Sequence, residues 1–250
     1  MPSPALRGRA TKKAAGKETS IMTDNADTER DDSAAEPIRV DVWSDIACPW
    51  CYIGKRKFEA ALTRTGIPVE IEYHAYELAP DLPREFEGSE QDYLEIRGYT
   101  ADQVEPLLNR IVGAAKQVGL DFDYDILRHT NMLKGHQLIR WAKEQGHQLE
   151  MVERILAAHF EEGRHVGRDE DLADLAAEIG LDREEALKAL RDERYVDDVH
   201  ADEEKARELG IQGVPYYVFE GQYGVSGAQD PSTFADVLRQ LVERKKETVA

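Results

Sequence analysis

Cys48 and Cys51 are the only cysteines among the 250 residues of this chain, and two residues separate them. Positions three apart lie about one turn apart along a helix, so the two thiols can meet on one helix face. An apolar run precedes the pair and a helix-like sequence follows it. In that context a Cys-x-x-Cys pair is typical of redox chemistry, and the spacing predicts a redox-active thiol pair.

The predicted position at the start of a helix distinguishes the two thiols. Unpaired backbone N–H groups and the positive end of the helix dipole favour a thiolate there. Cys48 is therefore expected to be the exposed nucleophile, and Cys51, one turn further, the shielded resolving thiol. Pro49 suits the first helical turn, where its missing N–H costs little. Together with Trp50 it adds only bulk and apolar surface beside the sulfur atoms.

Metal binding and structural crosslinking fit the cysteine pair less well than redox chemistry does. A structural zinc site normally needs four Cys or His ligands, and no His pair with ligand-like spacing lies near the motif. We therefore expect no metal. A disulfide that closes so short a loop would stabilise the fold little. Two buried thiols without any chemistry are the remaining alternative.

Strand and helix patterns surround the motif. Residues 38–43 alternate apolar and polar side chains and predict a strand, residues 52–65 predict a helix, and residues 69–74 predict a second strand parallel to the first. Residues 89–194 carry only helical patterning. The sequence therefore predicts an α/β domain that is interrupted by a large, all-helical insertion.

After the insertion the chain returns to strand patterns. Residues 197–209 predict a helix, Tyr216–Phe219 and Tyr223–Ser226 predict a β-hairpin, and residues 231–245 predict a closing helix. The predicted organisation is a tail, an α/β domain made of two segments, and the insertion between them. Their bounds are 1–36 for the tail, 37–86 and 195–247 for the α/β domain, and 87–194 for the insertion.

The chain carries a net charge of −18, with 50 acidic against 32 basic residues. Nucleic-acid binding needs a basic face, so this balance argues against it. The charge predicts a solvated, self-repelling surface, and adaptation to high salt is an alternative interpretation. No run of about 18 apolar residues is present, so no membrane span is expected.

Residues 1–36 have almost no large apolar side chains and are predicted to be disordered. A signal peptide needs an apolar core, which this stretch lacks, and Met22 is an alternative start. We therefore expect a cytoplasmic protein, in which a cysteine pair is more often catalytic or redox-sensing than structural.

Three stretches together resemble a known family: residues 44–54 around Cys-Pro-Trp-Cys, residues 210–215 with Gly-Val-Pro, and residues 225–229 with Ser-Gly-Ala-Gln. Their order resembles a thioredoxin fold with an insertion between strand 2 and the helix before the Val-Pro strand. More narrowly, the chain resembles the DsbA-like family and its FrnE-type oxidoreductase branch. The resemblance extends over residues 38–245.

The resemblance implies functional roles for several residues. Cys48 would be the nucleophile and Cys51 the resolving thiol. The Val214–Pro215 bond would be cis, a geometry that is uncommon even before proline. It would present the Val214 backbone beside the Cys48 sulfur, where a partner chain could add strand-like hydrogen bonds. The resemblance also assigns Ser226 and Gln229 to a loop that faces the ligand.

Two related branches carry Ser in place of the first cysteine and use glutathione. They are the kappa-class glutathione transferases and the hydroxychromene-carboxylate isomerases. Both cysteines are present in this chain, which points away from these branches. Glutathione remains a candidate co-substrate.

His136 and Asn131 lie at the start of a predicted insertion helix and have two interpretations. They can be groups near the thiolate that stabilise charge, contact substrate or relay a proton. They can also be polar residues that bind neighbouring backbone, which is the favoured interpretation.

The sequence thus favours a thiol–disulfide oxidoreductase that needs no cofactor beyond its own cysteine pair. Its substrate would be a disulfide or dithiol of a protein or a small molecule. A glutathione-dependent transferase or isomerase acting on a small apolar substrate is the second hypothesis, and a redox sensor without turnover is the third. Both a monomer and a homodimer are compatible with the sequence.

Overall fold

The computed structural model describes residues 36–249. The predicted disordered tail, apart from Glu36, and the alternative start at Met22 lie outside this part of the chain. In chain order the elements are β1 (Ile38–Ser44), α1 (Pro49–Thr65), β2 (Val69–Ala75), β3 (Glu87–Gly88), α2 (Glu90–Ile96), α3 (Ala101–Gln117), β4 (His129–Thr130), α4 (Leu133–Glu144), α5 (Gln148–Phe160), α6 (Asp169–Glu178), α7 (Arg183–Arg191), α8 (Val196–Glu208), β5 (Tyr216–Phe219), β6 (Tyr223–Ser226) and α9 (Pro231–Val249).

The strand that leads to the cysteines, β1, lies inside a four-stranded sheet of order β2-β1-β5-β6. It pairs in parallel with β2, as predicted, and antiparallel with β5. The predicted hairpin of β5 and β6 is also present. Only Arg39 of β1 is exposed, because Val40 and Val42 pack into the main core and Trp43 packs into a second cluster on α8.

Helix α1 begins immediately after Cys48. Cys48 is the N-cap with extended backbone (φ −89°, ψ 109°), and Pro49 takes the first helical position. The helix therefore starts at Pro49, as expected from its place in the first turn, and the predicted segment 52–65 forms the remaining turns. Proline has no N–H to lose at this position. The helix ends at Gly66, whose left-handed φ of 63° lets its N–H reach the Leu62 carbonyl.

The insertion contains helices α2 to α7, in keeping with its predicted helical patterning, but it is not entirely helical. Strands β3 and β4 pair antiparallel, with Glu87 opposite Thr130 and Gly88 opposite His129. Two residues per strand give no alternation that a sequence pattern could reveal, which is why the all-helical expectation was wrong at this point. The pairing places His129 next to residues 45–48, which join β1 to α1 and end in Cys48. We call this segment the cysteine loop.

One hydrophobic core joins the insertion to the α/β part. Val40 and Ile53 from the α/β part and Leu138 and Ile155 from the insertion belong to the same buried cluster. No helix within residues 36–249 combines the length and apolar character needed to cross a membrane.

Candidate active site

Cys48 is buried at the N-cap of α1, with only 4% of the residue exposed. The expectation of an exposed nucleophile was therefore wrong, because the chain around Val214 covers the sulfur. The Cys48 thiol donates to the Val214 carbonyl oxygen over 3.6 Å. Its side chain makes no capping hydrogen bond with the described residues of α1. The Cys48 sulfur therefore lies beside the Val214 backbone.

Cys51 lies one turn further into α1 and is shielded, as predicted, with 3% exposure. The backbone N–H of Asp45 donates to its sulfur over 3.5 Å. Burial raises the pKa of Cys51 well above its ordinary value, and the hydrogen bond and charge of Cys48 raise it further, whereas the Ser44 side chain lowers it. Cys51 is therefore held as a thiol, which suits a group that acts second.

The peptide bond between Val214 and Pro215 is cis, as the resemblance implied. It lies beside α1 at Gly54, where an added Cβ would be 2.9 Å from Tyr217 Oη and 3.0 Å from Pro215 Cγ. The backbone N–H of Gly227 donates to the Pro215 carbonyl over 2.8 Å, which joins this loop to the end of β6. We call the segment between α8 and β5, which contains Pro215, the proline loop. Helix α1 and the proline loop can approach this closely because residue 54 is glycine and has no side chain.

Asp45 holds the cysteine loop to two other parts of the fold. Its Oδ1 accepts from the backbone N–H of Ala47 over 3.1 Å, and its Oδ2 accepts from the backbone N–H of Leu78 over 2.7 Å. Oδ1 also lies 3.2 Å from Nε2 of His136. Asp45 was not among the predicted site residues, although an acid three residues before the first cysteine was a usable signal.

His136 points from α4 to this carboxylate and is itself buried, with 4% exposure. Its side chain therefore binds a side chain of the cysteine loop and not neighbouring backbone, so the favoured interpretation of His136 was wrong. Burial lowers the pKa of His136, but the hydrogen bond and charge of Asp45 outweigh burial and the pKa is raised, with a further increase from Glu77 and Glu203.

Asn131 has the structural role that was favoured for it. Its side-chain N–H donates to the Leu82 carbonyl over 2.7 Å, and its Oδ1 accepts from the backbone N–H of Leu133 over 3.0 Å. Both ends of this buried amide are engaged by backbone, so the structure gives no support to a substrate-binding role for Asn131. It fixes the start of α4, from which His136 projects.

Ser226 and Gln229 are exposed. Ser226 is the last residue of β6 and Gln229 lies in the loop that follows, on either side of Gly227, which bonds to Pro215. The Gln229 side chain donates to the Ser226 carbonyl over 2.8 Å. Lys57 of α1 donates to the Ala228 carbonyl over 3.2 Å. The structure thus places both predicted loop residues next to the proline loop, while Pro49 and Trp50 are half-buried at the first turn of α1. Their contact with substrate remains a prediction.

Residues 39–239 match the family model of the DSBA-like thioredoxin domain. The chain belongs to this family. A probable DsbA oxidoreductase from Streptomyces coelicolor, known as a crystal structure, is 36% identical to this chain, with a TM-score of 0.76. The match covers 81% of this chain and 89% of that one.

Two more distant relatives extend over a similar length. The uncharacterized protein YwbO of Bacillus subtilis is 26% identical over 212 residues, which are 84% of this chain and 99% of YwbO. The cytosolic disulfide reductase DsbM of Pseudomonas aeruginosa shares the fold at 21% identity and a TM-score of 0.59, over 84% of this chain and 99% of DsbM. DsbM is also known as a structure with GSH.

Glu77 is a further residue of this DsbA-like site that was not predicted from the sequence. It follows β2 by two residues, at the sheet edge where β1 also ends. Parallel strands end at the same edge, so this position was open to prediction. Burial raises the pKa of Glu77 to about 7, with Asp45 and Glu203 adding to the shift and His136 opposing it.

The insertion contributes a buried, hydrogen-bonded His–Glu pair and an aromatic ring on the opposite side. His129 Nδ1 lies 3.0 Å from Glu90 Oε2, and the ring of Tyr93 stacks on His129 at 3.5 Å between centroids. Burial raises the pKa of Tyr93 to about 12, and the charges of Asp45, Glu90 and Cys48 act in the same direction. The helical insertion therefore borders the cysteine loop directly.

Asp41, Glu72 and His74 form another cluster, on the face of the sheet, with one possible ligand atom each within 4.8 Å. Cations already bind both carboxylates: Arg39 donates to Asp41 over 2.9 Å, and Lys143 pairs with Glu72. Nδ1 of His74 lies 2.8 Å from a carboxylate oxygen of Asp202 in α8. We interpret this cluster as an ion-pair network that joins β1, β2 and α8.

Proposed function

We propose that this DsbA-like protein is a thiol–disulfide oxidoreductase that acts through Cys48 and Cys51. One observation carries the proposal: the Cys48 sulfur lies at the first turn of α1, 3.6 Å from the Val214 carbonyl that precedes a cis proline. The buried Cys51 follows one turn later. Family membership and the oxidoreductase relative at 36% identity support the same reaction class.

The reaction begins with attack of the Cys48 thiolate on one sulfur of a substrate disulfide. The substrate S–S bond breaks, a mixed disulfide forms, and the first substrate sulfur leaves as a thiolate. Cys51 then loses its proton and attacks the Cys48 sulfur. The mixed disulfide breaks, the second substrate thiolate leaves, and the enzyme holds an internal disulfide while the substrate has gained two electrons. Oxidation of a dithiol follows the same path in reverse.

The Val214 backbone supplies the docking position in this scheme. Its carbonyl lies beside the reacting sulfur, so an extended substrate segment can form backbone hydrogen bonds there while its sulfur faces Cys48. We propose glutathione as a small-molecule co-substrate for the same position, since the sequence leaves it as a candidate, and the cytoplasm as the compartment, which the sequence favours. DsbM, which shares the fold, is known with GSH.

A redox titration tests this function. The purified protein is equilibrated in mixtures of reduced and oxidised glutathione, its free thiols are alkylated, and its intact mass is measured. We expect reversible loss of two hydrogens with a midpoint between about −270 and −120 mV, the range of thioredoxin-like proteins. In Cys51→Ala the same titration should stop at a Cys48–glutathione mixed disulfide.

Cys48→Ala is the matched control and should form neither species. A wild-type protein that never forms the internal disulfide contradicts the proposal. If it also binds glutathione without covalent attachment, the transferase or isomerase hypothesis gains support. An internal disulfide that forms without any turnover of added disulfide substrates supports the sensor hypothesis.

A further inference from the structure

A groove of about 490 Å³ runs along the insertion, between one face of α3 and the segment 122–125. From α3 it is lined by Ala101, Val104, Leu108 and Val112, which recur at the spacing of a single helix face. Residues 101 to 112 extend about 16 Å along the helix axis, the length of about five residues of extended chain. The groove is therefore elongated and largely apolar on its α3 side, which suits a segment of polypeptide.

The wall opposite α3 lies close to the cysteine pair. The ring of Phe122 stacks on Tyr52 of α1, with 5.9 Å between centroids. Burial raises the pKa of Tyr124 in the same wall, and the charges of Glu90 and Cys48 raise it further. Because Coulomb interactions weaken with distance, Tyr124 must lie near Cys48. A substrate bonded to that sulfur can therefore extend into the groove.

The edge of the groove is acidic. Glu105 of α3 and Asp123 and Asp125 of the opposite wall line it, and no basic side chain does. We call these three exposed carboxylates the acidic rim. Within residues 36–249, none of the three forms an ion pair. Uncompensated charges of one sign along a groove attract a ligand of the opposite sign, so the acidic rim favours a cation.

Tyr124 adds an unused hydrogen-bonding group to the same wall. Its hydroxyl is buried and has no hydrogen-bond partner among the described residues. A buried hydroxyl without a partner is unfavourable, and the backbone of a segment in the groove can supply one. This feature is independent of the acidic rim and also points to a bound chain.

We propose that this groove binds a cationic and apolar segment of a polypeptide substrate, with its Lys or Arg side chains at the acidic rim and its apolar side chains against α3. The inference rests on the oxidoreductase function proposed above and names the substrate class of that site. Backbone hydrogen bonds at Val214 hold an extended chain whatever its side chains are. The groove would add the selectivity that this position lacks.

Synthetic peptides test the charge preference. Each contains the same internal disulfide and an eight-residue flank in which leucine alternates with lysine, glutamine or glutamate, placed before or after the disulfide. Reduced protein is mixed with each peptide, quenched with acid and alkylated, and the rate of mixed-disulfide formation is read from the intact mass. In at least one orientation the lysine peptide should react fastest and the glutamate peptide slowest. The difference should shrink in 1 M salt, where charges are screened within about 3 Å.

The double variant Glu105→Gln/Asp125→Asn should lower the ratio of the lysine rate to the glutamate rate by about 3- to 10-fold, within the worth of two exposed ion pairs. Glu185→Gln/Asp197→Asn is the matched control, because these exposed carboxylates lie on α7 and α8, form no ion pair with the described residues and do not line the groove. It should keep the wild-type ratio.

A wild-type ratio close to one overturns the proposal. Equal losses in the two double variants overturn it as well, because the net charge of the whole chain, and not the groove, would then attract the lysine peptide.

Crosslinking locates the bound flank without any change to the acidic rim. Cys51→Ala holds the lysine peptide on Cys48 as a mixed disulfide, and a carbodiimide then joins the peptide amines to carboxylates in contact with them. Mass spectrometry of the digest should find links to Glu105, Asp123 or Asp125. Links confined to other carboxylates overturn the proposal. Failure of the oxidoreductase function has a different signature, since no peptide would then form a mixed disulfide with Cys48.

Discussion

Asp45 connects three parts of the chain through a single buried carboxylate. It accepts backbone N–H groups from the cysteine loop and from the segment after β2, and it faces His136 of the insertion. A buried carboxylate is costly unless it is paired and hydrogen-bonded. These three contacts provide that compensation and fix the loop that ends at Cys48.

Asp45→Asn should destabilise the protein by about 1–3 kcal/mol, the usual cost of leaving a buried donor unsatisfied. An amide NH₂ group must then face one of the N–H groups of Ala47 or Leu78, or the His136 ring. The pKa of His136 should fall, because Asp45 contributes most to raising it against burial. Urea unfolding and an NMR titration of His136 measure the two effects.

Asp81→Asn, at an exposed position after β2, is the control for this change and should alter stability by no more than about 0.5 kcal/mol. Equal stability of the Asp45→Asn protein and the wild type would contradict the structural role given to Asp45.

At the scale of elements, the site depends on how closely α1 approaches the cis-proline loop. Gly54 faces Tyr217 and Pro215 from inside the helix, whereas Gly113 of α3 is exposed and has no other group within 4 Å of an added Cβ. Replacing each of these two helical glycines by alanine therefore separates the effect of packing on stability from the effect of helix propensity.

Gly54→Ala should destabilise the protein, because overpacking costs about 1–3 kcal/mol and exceeds the roughly 0.5–1 kcal/mol gained by replacing a helical glycine. Gly113→Ala should instead stabilise it by about 0.5–1 kcal/mol. Urea unfolding of both variants measures the contrast. A stabilising Gly54→Ala would mean that the proline loop moves away from α1 without cost.

At the scale of the whole molecule, an ion-pair cluster ties the insertion to the α/β part. Glu153 of α5 accepts from Arg56 of α1 over 2.9 Å, pairs with Lys55, and accepts from the hydroxyl of Tyr52 over 2.8 Å. Burial raises the pKa of Glu153, but hydrogen bonds from Arg56 and Lys55 outweigh burial and lower the pKa to about 2. The ionised carboxylate therefore favours the folded state.

Because this pKa is lowered on folding, the stabilisation is complete above the ordinary value of 4.5 and is lost as the pH falls towards about 2. Glu153→Gln should lower the free energy of unfolding by about 1.5–3 kcal/mol at pH 7, the worth of hydrogen bonds to a charged group. The difference from the wild type should shrink in acid. Thermal or urea unfolding of the wild type and of Glu153→Gln between pH 2 and 7 measures the loss of stability at pH 7 and its decrease in acid.

Glu150→Gln, on a more exposed side chain of the same helix, is the control and should change stability by no more than about 0.5 kcal/mol. If the deficit of Glu153→Gln were independent of pH, the ion pairs would not be its cause.

Much of the fold and part of the site could be predicted because their signals are local. The alternation of apolar and polar residues that predicted β1 and β2 depends only on neighbours in the chain, and so does the periodicity that predicted the helices. The glycine that ends α1 is a local signal in the same sense. The spacing of Cys48 and Cys51 and their place between strand and helix are equally local. The two-residue strands β3 and β4 were too short to carry such a pattern.

The sequence by itself determined the thiol pair, the order of elements around it and the Gly-Val-Pro segment that belongs beside it. Only the tertiary structure decided that Cys48 is buried, that His136 meets Asp45 from 91 positions away, and that Glu77 shares a cavity with both the cysteine loop and His129. The reason is physical: residue type limits which partners a side chain can bind, but long-range packing selects the partner. The same packing sets the burial that raises the pKa of Glu77, and no local pattern encodes it.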